Sequence, residues 1–452
     1  MRWQAVRLRL LSATVRAVSA KTPLRDTDMA KAAGLAAAQI VATVAALGLT
    51  VTFARELGTV DYGSLARMFA ILVIILVPGS ALQVATVREA ALGRMGHDAQ
   101  CAATLRRWIR GLLAIFFAVT VGSILLRVQL AQAMSVNQVW GAALVLPTGA
   151  LFMVVAVQRG VLQGLRSYRP VGISLVGEQI VRLLLGLGLI AAGGAVTGAF
   201  AGTALAVVAM ALALQLVLHR RLGRPAGTPA LSKLRHLVST NRVPIIALTL
   251  FAVVQNVDVV VVGHTLSSDD SGAYAVASIA AKGIVWVSIG LGLFLLPEAT
   301  RGIAAGRDMR HLLLRTLGML SLVAIPMVAV YAVAAEPLLR AVFGGKAPLA
   351  AGALPWLGLA MSLLACSYLS VQFLFARHHW RFVWFLAAAA IAEPVALLVG
   401  GDNLSSVAAI IVVANALLVV VMLGSAFASD RGQPPTAFPG DDDDLPSEIE
   451  AV

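Results

Sequence analysis

The chain has 452 residues, 59% of them hydrophobic and 13% charged, with a formal net charge of +13 and a mean hydropathy of +0.88. A water-soluble protein of this length needs charged residues near a quarter of its composition, about twice what is present, so a soluble fold is excluded. The apolar runs are continuous in Ala, Leu, Val and Gly instead of alternating at every second residue, which excludes a transmembrane β-barrel and leaves membrane-spanning helices.

The first 30 residues carry Arg2, Arg7, Arg9, Arg16, Lys21 and Arg25, and no apolar stretch between them is long enough for a signal peptide. An uncleaved basic N-terminal segment is expected. With Trp3, Val6, Leu8, Leu10 and Leu11 interleaved, it reads either as an amphipathic helix on the membrane surface or as a disordered basic tail.

Twelve apolar segments follow, at roughly 33–54, 65–86, 109–131, 138–158, 171–193, 195–218, 243–265, 272–297, 312–334, 352–376, 382–400 and 404–428. Pro78, Pro147, Pro326, Pro355 and Pro394 fall inside them, as kinks that neighbouring helices can accommodate in a bilayer. The N-terminus, the even-numbered loops and the C-terminal tail together hold 28 of the 35 Lys and Arg residues. The odd loops hold four, Arg55, Arg127, Arg340 and Lys346. This asymmetry predicts a multi-pass protein of the cell (plasma or inner) membrane with both termini cytoplasmic. The positive charge is thus assigned to loops facing anionic lipid, and no nucleic-acid partner is expected.

The sixth loop, about 219–242, is basic and contains Arg220, Arg221, Arg224, Lys233 and Arg235. It divides the chain into an N-lobe over 31–218 and a C-lobe over 243–428. Residues 429–452 include Pro434, Pro435, Pro439 and the run Asp441 to Asp444, and read as a disordered acidic tail. Two cysteines, Cys101 in a basic loop and Cys366 in an apolar run, give neither a disulfide framework nor metal spacing.

Leu57, Asp61, Gly63 and Ala66 recur at an offset of 209 residues as Leu266, Asp270, Gly272 and Ala275. They fall at the equivalent place in each half, and both halves begin on the same side. The expected fold is therefore an all-α polytopic protein of about twelve helices, in two six-helix lobes related by a parallel repeat around a central cavity.

The stretch from Ala54 to Gly63, with Arg55, Gly58 and Tyr62, lies between the first two long helices and resembles the first-hairpin signature of bacterial polysaccharide flippases of the O-antigen type; Glu56 and Val60 depart from it. These flippases belong to the multidrug/oligosaccharidyl-lipid/polysaccharide exporter superfamily. Asn256 and Asp258 late in helix 7, Gly272 and Tyr274 opening helix 8, Pro297 closing it, Arg88 after helix 2 and Leu162-Gln163-Gly164 after helix 4 extend the resemblance to about 30–430. It implies a transporter, not an enzyme, that passes a polyprenyl-diphosphate-linked oligosaccharide from the cytoplasmic to the outer leaflet without a cofactor.

An ionisable side chain at the centre of a span costs about 2.5–3.5 kcal/mol, so it generally faces a cavity or a partner. Glu178 and Arg182 sit on one face of helix 5 at i, i+4 spacing. They read as a self-neutralised pair, or as a diphosphate-binding arginine with its counter-ion. Lys282 and Trp286, one turn apart in helix 8, suit a sugar phosphate, or else a private cation–π contact. Asp258 and Lys282 lie at similar depth on adjacent helices, within reach of a salt bridge. Arg67 early in helix 2 completes the substrate-binding candidates; Asp258, Glu178 and Glu393 are the candidates for H+ or Na+ coupling. The other tryptophans, Trp108, Trp140, Trp356, Trp380 and Trp384, read as interface anchors.

Three other readings compete. A major-facilitator transporter would carry a Gly-x-x-x-Asp-Arg-x-Gly-Arg type loop after helix 2, where this chain reads Val87 to Asp98 without the Asp-Arg pair. A drug or metabolite exporter of the resembled superfamily would have a hydrophobic cavity with fewer fixed cations. A polyprenyl-sugar-dependent glycosyltransferase or polymerase would need a long external loop, and every odd loop here is under about 20 residues. No Walker A or His-Glu-x-x-His sequence supports ATP hydrolysis or metal catalysis. Membrane lipid and proteins of glycan assembly are the remaining expected partners.

Overall fold

The computed structural model describes residues 26–230, 242–344, 347–377 and 379–428. Most of the basic N-terminal segment, the second half of the basic linker and the acidic tail, for which expectations are stated above, lie outside the described residues.

The helices are α1 (Asp26–Ala91), α2 (Asp98–Leu125), the short α3 (Arg127–Ala133), α4 (Val139–Gly164), α5 (Tyr168–Leu189), α6 (Ala195–Leu222), α7 (Arg242–Thr265), α8 (Ser268–Ala304), α9 (Arg310–Val342), α10 (Leu354–Ala376), α11 (Phe382–Gly400) and α12 (Leu404–Phe427). Ten continuous helical runs among the described residues are long and apolar enough to cross a membrane. Two of them, Gly34–Ala91 with 58 residues and Tyr168–Leu222 with 55, would measure over about 80 Å if straight, against a hydrocarbon core of about 30 Å. Each breaks at a glycine. Gly58 has φ 74° and ψ 168°, and Gly193 has φ 88° inside the π-helical turn Ile190–Gly194. Divided there, the described residues give twelve segments long and apolar enough to cross, six before the linker and six after it.

The two arms of α1 run in opposite directions, as their neighbours show. Along the first arm, Ala38 lies against Gly172 and Phe53 against Gly186, so it rises parallel to α5. Along the second, Met68 meets Gly141, Ile75 meets Gly149 and Ala90 meets Gly164, so it descends parallel to α4, which a short turn joins to the oppositely directed α5. We call the end bearing Gly58 the hairpin end and the opposite one, with Arg88, Arg94 and Arg221, the basic end.

The lobes meet at the hairpin end, where α1 packs on α7 and α8. A Cβ on Gly63 would lie 2.8 Å from Gly272 Cα, and one on Gly272 would strike Thr59 O. The two glycines related by the 209-residue repeat therefore face each other, and the backbones touch because neither carries a side chain. Lipid tails are as apolar as leucine, so close approach of this kind, more than hydrophobic exclusion, holds membrane helices together. Hydrogen bonds reinforce the contact. Arg55 Nε donates to Val342 O at 2.8 Å and its NH2 to Ala341 O, at the C-terminus of α9, where a helix dipole favours a cation. Ser135 Oγ donates to Gly263 O at 2.5 Å, and His264 Nε2 lies 3.1 Å from Gln132 O.

Several sequence expectations are corrected. Helix α2 begins at Asp98, well before the apolar segment expected there, so Cys101 is a helical residue 1% exposed and not part of a loop. Trp108 is not an interface anchor. It is 2% exposed, in a buried cluster with Leu151, Val155 and Val207. Trp140, Trp356 and Trp384 are 56–78% exposed, as anchors require. Pro355 lies in the first turn of α10, where its missing N–H costs no helix bond; Pro78, Pro147, Pro326 and Pro394 are inside helices.

The Gly58 conformation belongs to a region open essentially to glycine alone, at a cost of about 1–3 kcal/mol for any other residue. Gly58→Ala is expected to lower the thermal unfolding midpoint of the detergent-solubilised protein. Gly48→Ala, in the same helix with nothing within 4 Å of its would-be Cβ, is expected to hold or raise it. Equal midpoints for the two variants would refute this account of the turn.

Candidate functional site

Two clusters of charge lie inside the apolar segments, one in each lobe. In the N-lobe, Glu178 on α5 is 6% exposed and Arg159 on α4 is 3% exposed. Arg159 NH2 donates to Glu178 Oε2 at 2.8 Å and to Ser174 O at 3.0 Å, and its Nε to Ser174 Oγ at 2.9 Å. Arg182, one turn beyond Glu178, reaches Glu178 Oε1 only at 3.8 Å. Its guanidinium carbon stands 5.7 Å from the centre of the Phe69 ring, and its Nε has no hydrogen-bond partner. One carboxylate thus serves two guanidiniums, and the shorter, better-directed bond goes to Arg159.

Arg159 is not among the sequence candidates: the fourth apolar segment, 138–158, stops one residue short of it and leaves it among the loop cations. The signal was present: Val161 and Leu162 continue the apolar run, and the helix extends to Gly164.

The C-lobe cluster is built from α7, α8 and α11. Asp258 on α7 is 1% exposed. Its Oδ2 accepts from Tyr274 OH at 2.6 Å and from Ser278 Oγ at 3.1 Å, both on α8. Lys282, one turn further along α8, places Nζ 3.4 Å from Asp258 Oδ1 and 3.4 Å from Asn256 Oδ1, both long contacts. Asn256 holds its orientation by donating to Ala252 O. Three polar residues at i, i+4 steps on α8, Tyr274, Ser278 and Lys282, thus converge on one carboxylate, and Asn256, two residues before Asp258 on α7, accepts from the same ammonium. Glu393 on α11 is 2% exposed and neither of its carboxylate oxygens has a partner; Asp258 and Lys282 are the charges that act on it. Two carboxylates here accompany one ammonium, but only Asp258 lies within ion-pair distance of it.

Of the remaining candidates, Trp286 is 37% exposed while Lys282 turns toward Asp258, so the two do not form a joint ligand pair in this state. Arg67 is 7% exposed at the lobe contact. Its NH2 donates to Ser64 Oγ at 3.1 Å and its NH1 crosses to Ser271 Oγ at 3.4 Å, while Nε has no partner. Its partners are hydroxyls, not carboxylates. A Cβ on Gly263 would lie 2.5 Å from Arg67 Cδ, so that glycine makes the room for the side chain. The motif residues divide between these places: Arg55, Gly63 and Gly272 form the lobe contact, with Tyr62 buried beside it, Gly58 makes the turn in α1, and Asn256, Asp258 and Tyr274 form the C-lobe cluster. Arg88 lies in the last turn of α1 and Pro297 inside α8. Among the described residues no three His, Cys, Asp or Glu side chains gather as metal ligands would.

A family described as polysaccharide biosynthesis protein matches residues 29–284. No curated protein matches the chain in sequence. Among solved structures, an inward-facing multidrug resistance MATE family transporter of the MOP superfamily superposes with a TM-score of 0.72 at 13% identity, covering 85% of this chain and 93% of that one. The lipid II flippase MurJ in an inward closed conformation gives 0.69 at 13% identity, covering 88% of each chain. An outward-facing MATE family transporter gives 0.63 at 13% identity, over 87% and 94%. At these identities the likeness is one of fold: a multi-pass membrane protein with the architecture of MOP-superfamily transporters.

Removing one member of a buried ion pair strands the other, at about 3–5 kcal/mol. Arg159→Ala is expected to reduce thermal stability strongly, and Arg182→Ala much less, because Glu178 keeps its short bond. Unfolding of the purified variants measures the difference; an equal loss in both would overturn the assignment of Arg159 as the principal partner.

Proposed function

Because the chain belongs to the polysaccharide biosynthesis protein family, we propose that it is a transporter that moves a polyprenyl-diphosphate-linked oligosaccharide from the inner to the outer leaflet of the cell membrane. The observation that carries the reading is the guanidinium of Arg182, which shares its only carboxylate with Arg159 and whose Nε has no hydrogen-bond partner. Its neighbour Glu178 is committed to Arg159, and an arginine at membrane depth with an open donor suits an anionic phosphate oxygen. The fold is shared with a lipid II flippase, which supports a lipid-linked ligand.

In this reading the termini are cytoplasmic, as the loop charges predict, and the lobe contact through Gly63 and Gly272 closes the outer face. The headgroup enters from the basic end and is met by Arg182, with Lys282 and Trp286 on the opposite lobe and Arg67 behind the outer contact. Outward opening separates the glycine contact and transfers the Arg55 and Arg67 bonds to other partners. Glu393, with two unpaired oxygens beside the Asp258–Lys282 pair, is the coupling carboxylate for H+ or Na+. The lipid tail stays in the bilayer throughout, and glycan-assembly proteins supply the substrate at the cytoplasmic face. No bond is made or broken.

A charge-assisted hydrogen bond contributes about 1.5–3 kcal/mol, so Arg182→Ala and Lys282→Ala are each expected to slow export roughly ten- to a hundredfold at normal protein level. Accumulation of lipid-linked oligosaccharide in cells carrying only the variant is the measurement. Unchanged export in both variants would sink the assignment, and normal export with heightened drug sensitivity would identify a multidrug exporter instead. Glu393→Gln is expected to make export insensitive to collapse of the proton or sodium gradient; persistence of that sensitivity would remove Glu393 from the coupling role.

A further inference from the structure

At the basic end of the C-lobe, the turn between α8 and α9 and the end of α10 enclose a cavity of about 370 Å³. Arg307, Arg310 and Arg377 line it beside a single acid, Asp308, with the buried side chains of Met309 and Phe373 as its floor. The cluster lies outside both intramembrane charge sites and takes no part in the transport cycle described above.

Two of these arginines also hold the end of the last helix. Arg377 NH1 donates to Ala426 O at 2.8 Å and to Ala428 O at 3.4 Å, and Arg310 NH2 donates to Ala428 O at 3.3 Å. The chain beyond residue 428 therefore departs from the rim of the arginine cavity. That continuation, 429–452, carries Asp430, Asp441, Asp442, Asp443, Asp444, Glu448 and Glu450 against the single cation Arg431. Twelve residues, 429–440, separate Ala428 from Asp441, and a flexible linker of that length has a root-mean-square span of about 20 Å. A tether of that reach keeps the acidic run near the cavity at an effective concentration on the order of millimolar. Guanidinium forks match carboxylates in geometry as well as charge. The corresponding surface of the N-lobe is already covered, since the start of the linker lies on α2 through Ala226 N to Ala99 O and Ala230 N to Thr104 Oγ1.

We propose that the arginine cavity of the C-lobe is the docking site of the chain's own acidic segment Asp441–Asp444. Docked there, the segment is an intramolecular ligand that keeps anionic lipid headgroups off Arg307 and Arg310. The interaction is electrostatic and exposed, so it weakens as salt shortens the screening length from about 10 Å at 0.1 M to about 3 Å at 1 M.

The test uses the full chain in membrane vesicles, with Cys101 and Cys366 replaced by Ala. One variant pairs Leu445→Cys with Ala305→Cys beside the cavity, and another pairs it with Gln100→Cys at the basic end of the N-lobe; disulfide-linked peptides are quantified by mass spectrometry after mild oxidation. The expected result is a strong preference for position 305 at low salt, which drops severalfold, to the bias that the tether alone gives, at 1 M salt, in Arg307→Gln with Arg310→Gln, or when Asp441 to Asp444 are all changed to Asn. Equal yields at the two positions at low salt would overturn the proposal. So would a preference undiminished by the four Asn substitutions, which would reflect the tether alone.

Discussion

Everything functional in this protein depends on the difficulty of placing a charge in hydrocarbon. Among the described residues, seven Arg, Lys, Asp and Glu side chains lie deep within the crossing segments, and the fold groups six of them by lobe. The N-lobe holds Arg159, Arg182 and Glu178 together, and the C-lobe holds Lys282, Asp258 and Glu393. Each group is complete except for one charge. The N-lobe lacks a carboxylate and the C-lobe lacks a cation, so each presents the sign that a travelling ligand or ion would satisfy. A buried charge retained without a partner is costly, and that cost is the physical ground for reading the imbalance as binding capacity and not as an accident of packing.

The seventh charge, Arg67, sits where the lobes touch, and its surroundings explain why the contact is built from glycine. Gly63 and Gly272 let two backbones meet, and Gly263 leaves room for the arginine stem. The bonds across the contact are few and use main-chain carbonyls and hydroxyls, partners that can be exchanged without stranding a second charge. An interface held by a salt bridge would resist opening by the energy needed to separate two ions in a dry site. In the proposed cycle, the contact is close enough to seal and weak enough to part.

The crossing pattern was legible because hydrocarbon thickness and backbone hydrogen bonding leave a chain of this composition little choice. The repeat glycines were legible as a pattern, and their mutual contact became visible only in three dimensions. The i, i+4 spacing of Glu178 and Arg182 and the matching depths of Asp258 and Lys282 could be read from helical rise. Partners contributed by a third helix could not: Arg159 takes Glu178 from Arg182, and Glu393 joins the Asp258 cluster from α11, because tertiary packing and not spacing brings them there. Trp108 and Cys101 misled for a related reason. A polar-flanked position near a span end looks like a membrane interface, but α2 extends beyond the apolar run and buries both against its neighbours.

The central claim is that an intramembrane cation left only a shared carboxylate carries a phosphate-bearing headgroup between leaflets. Its most direct test is transport by the purified protein in liposomes of two lipids that bear the same oligosaccharide on the same polyprenyl chain, one through a diphosphate and one through a neutral linkage. The account predicts that the protein accelerates appearance of the diphosphate lipid in the opposite leaflet and leaves the neutral lipid at the protein-free rate. Equal acceleration of both lipids, or of neither, would contradict it.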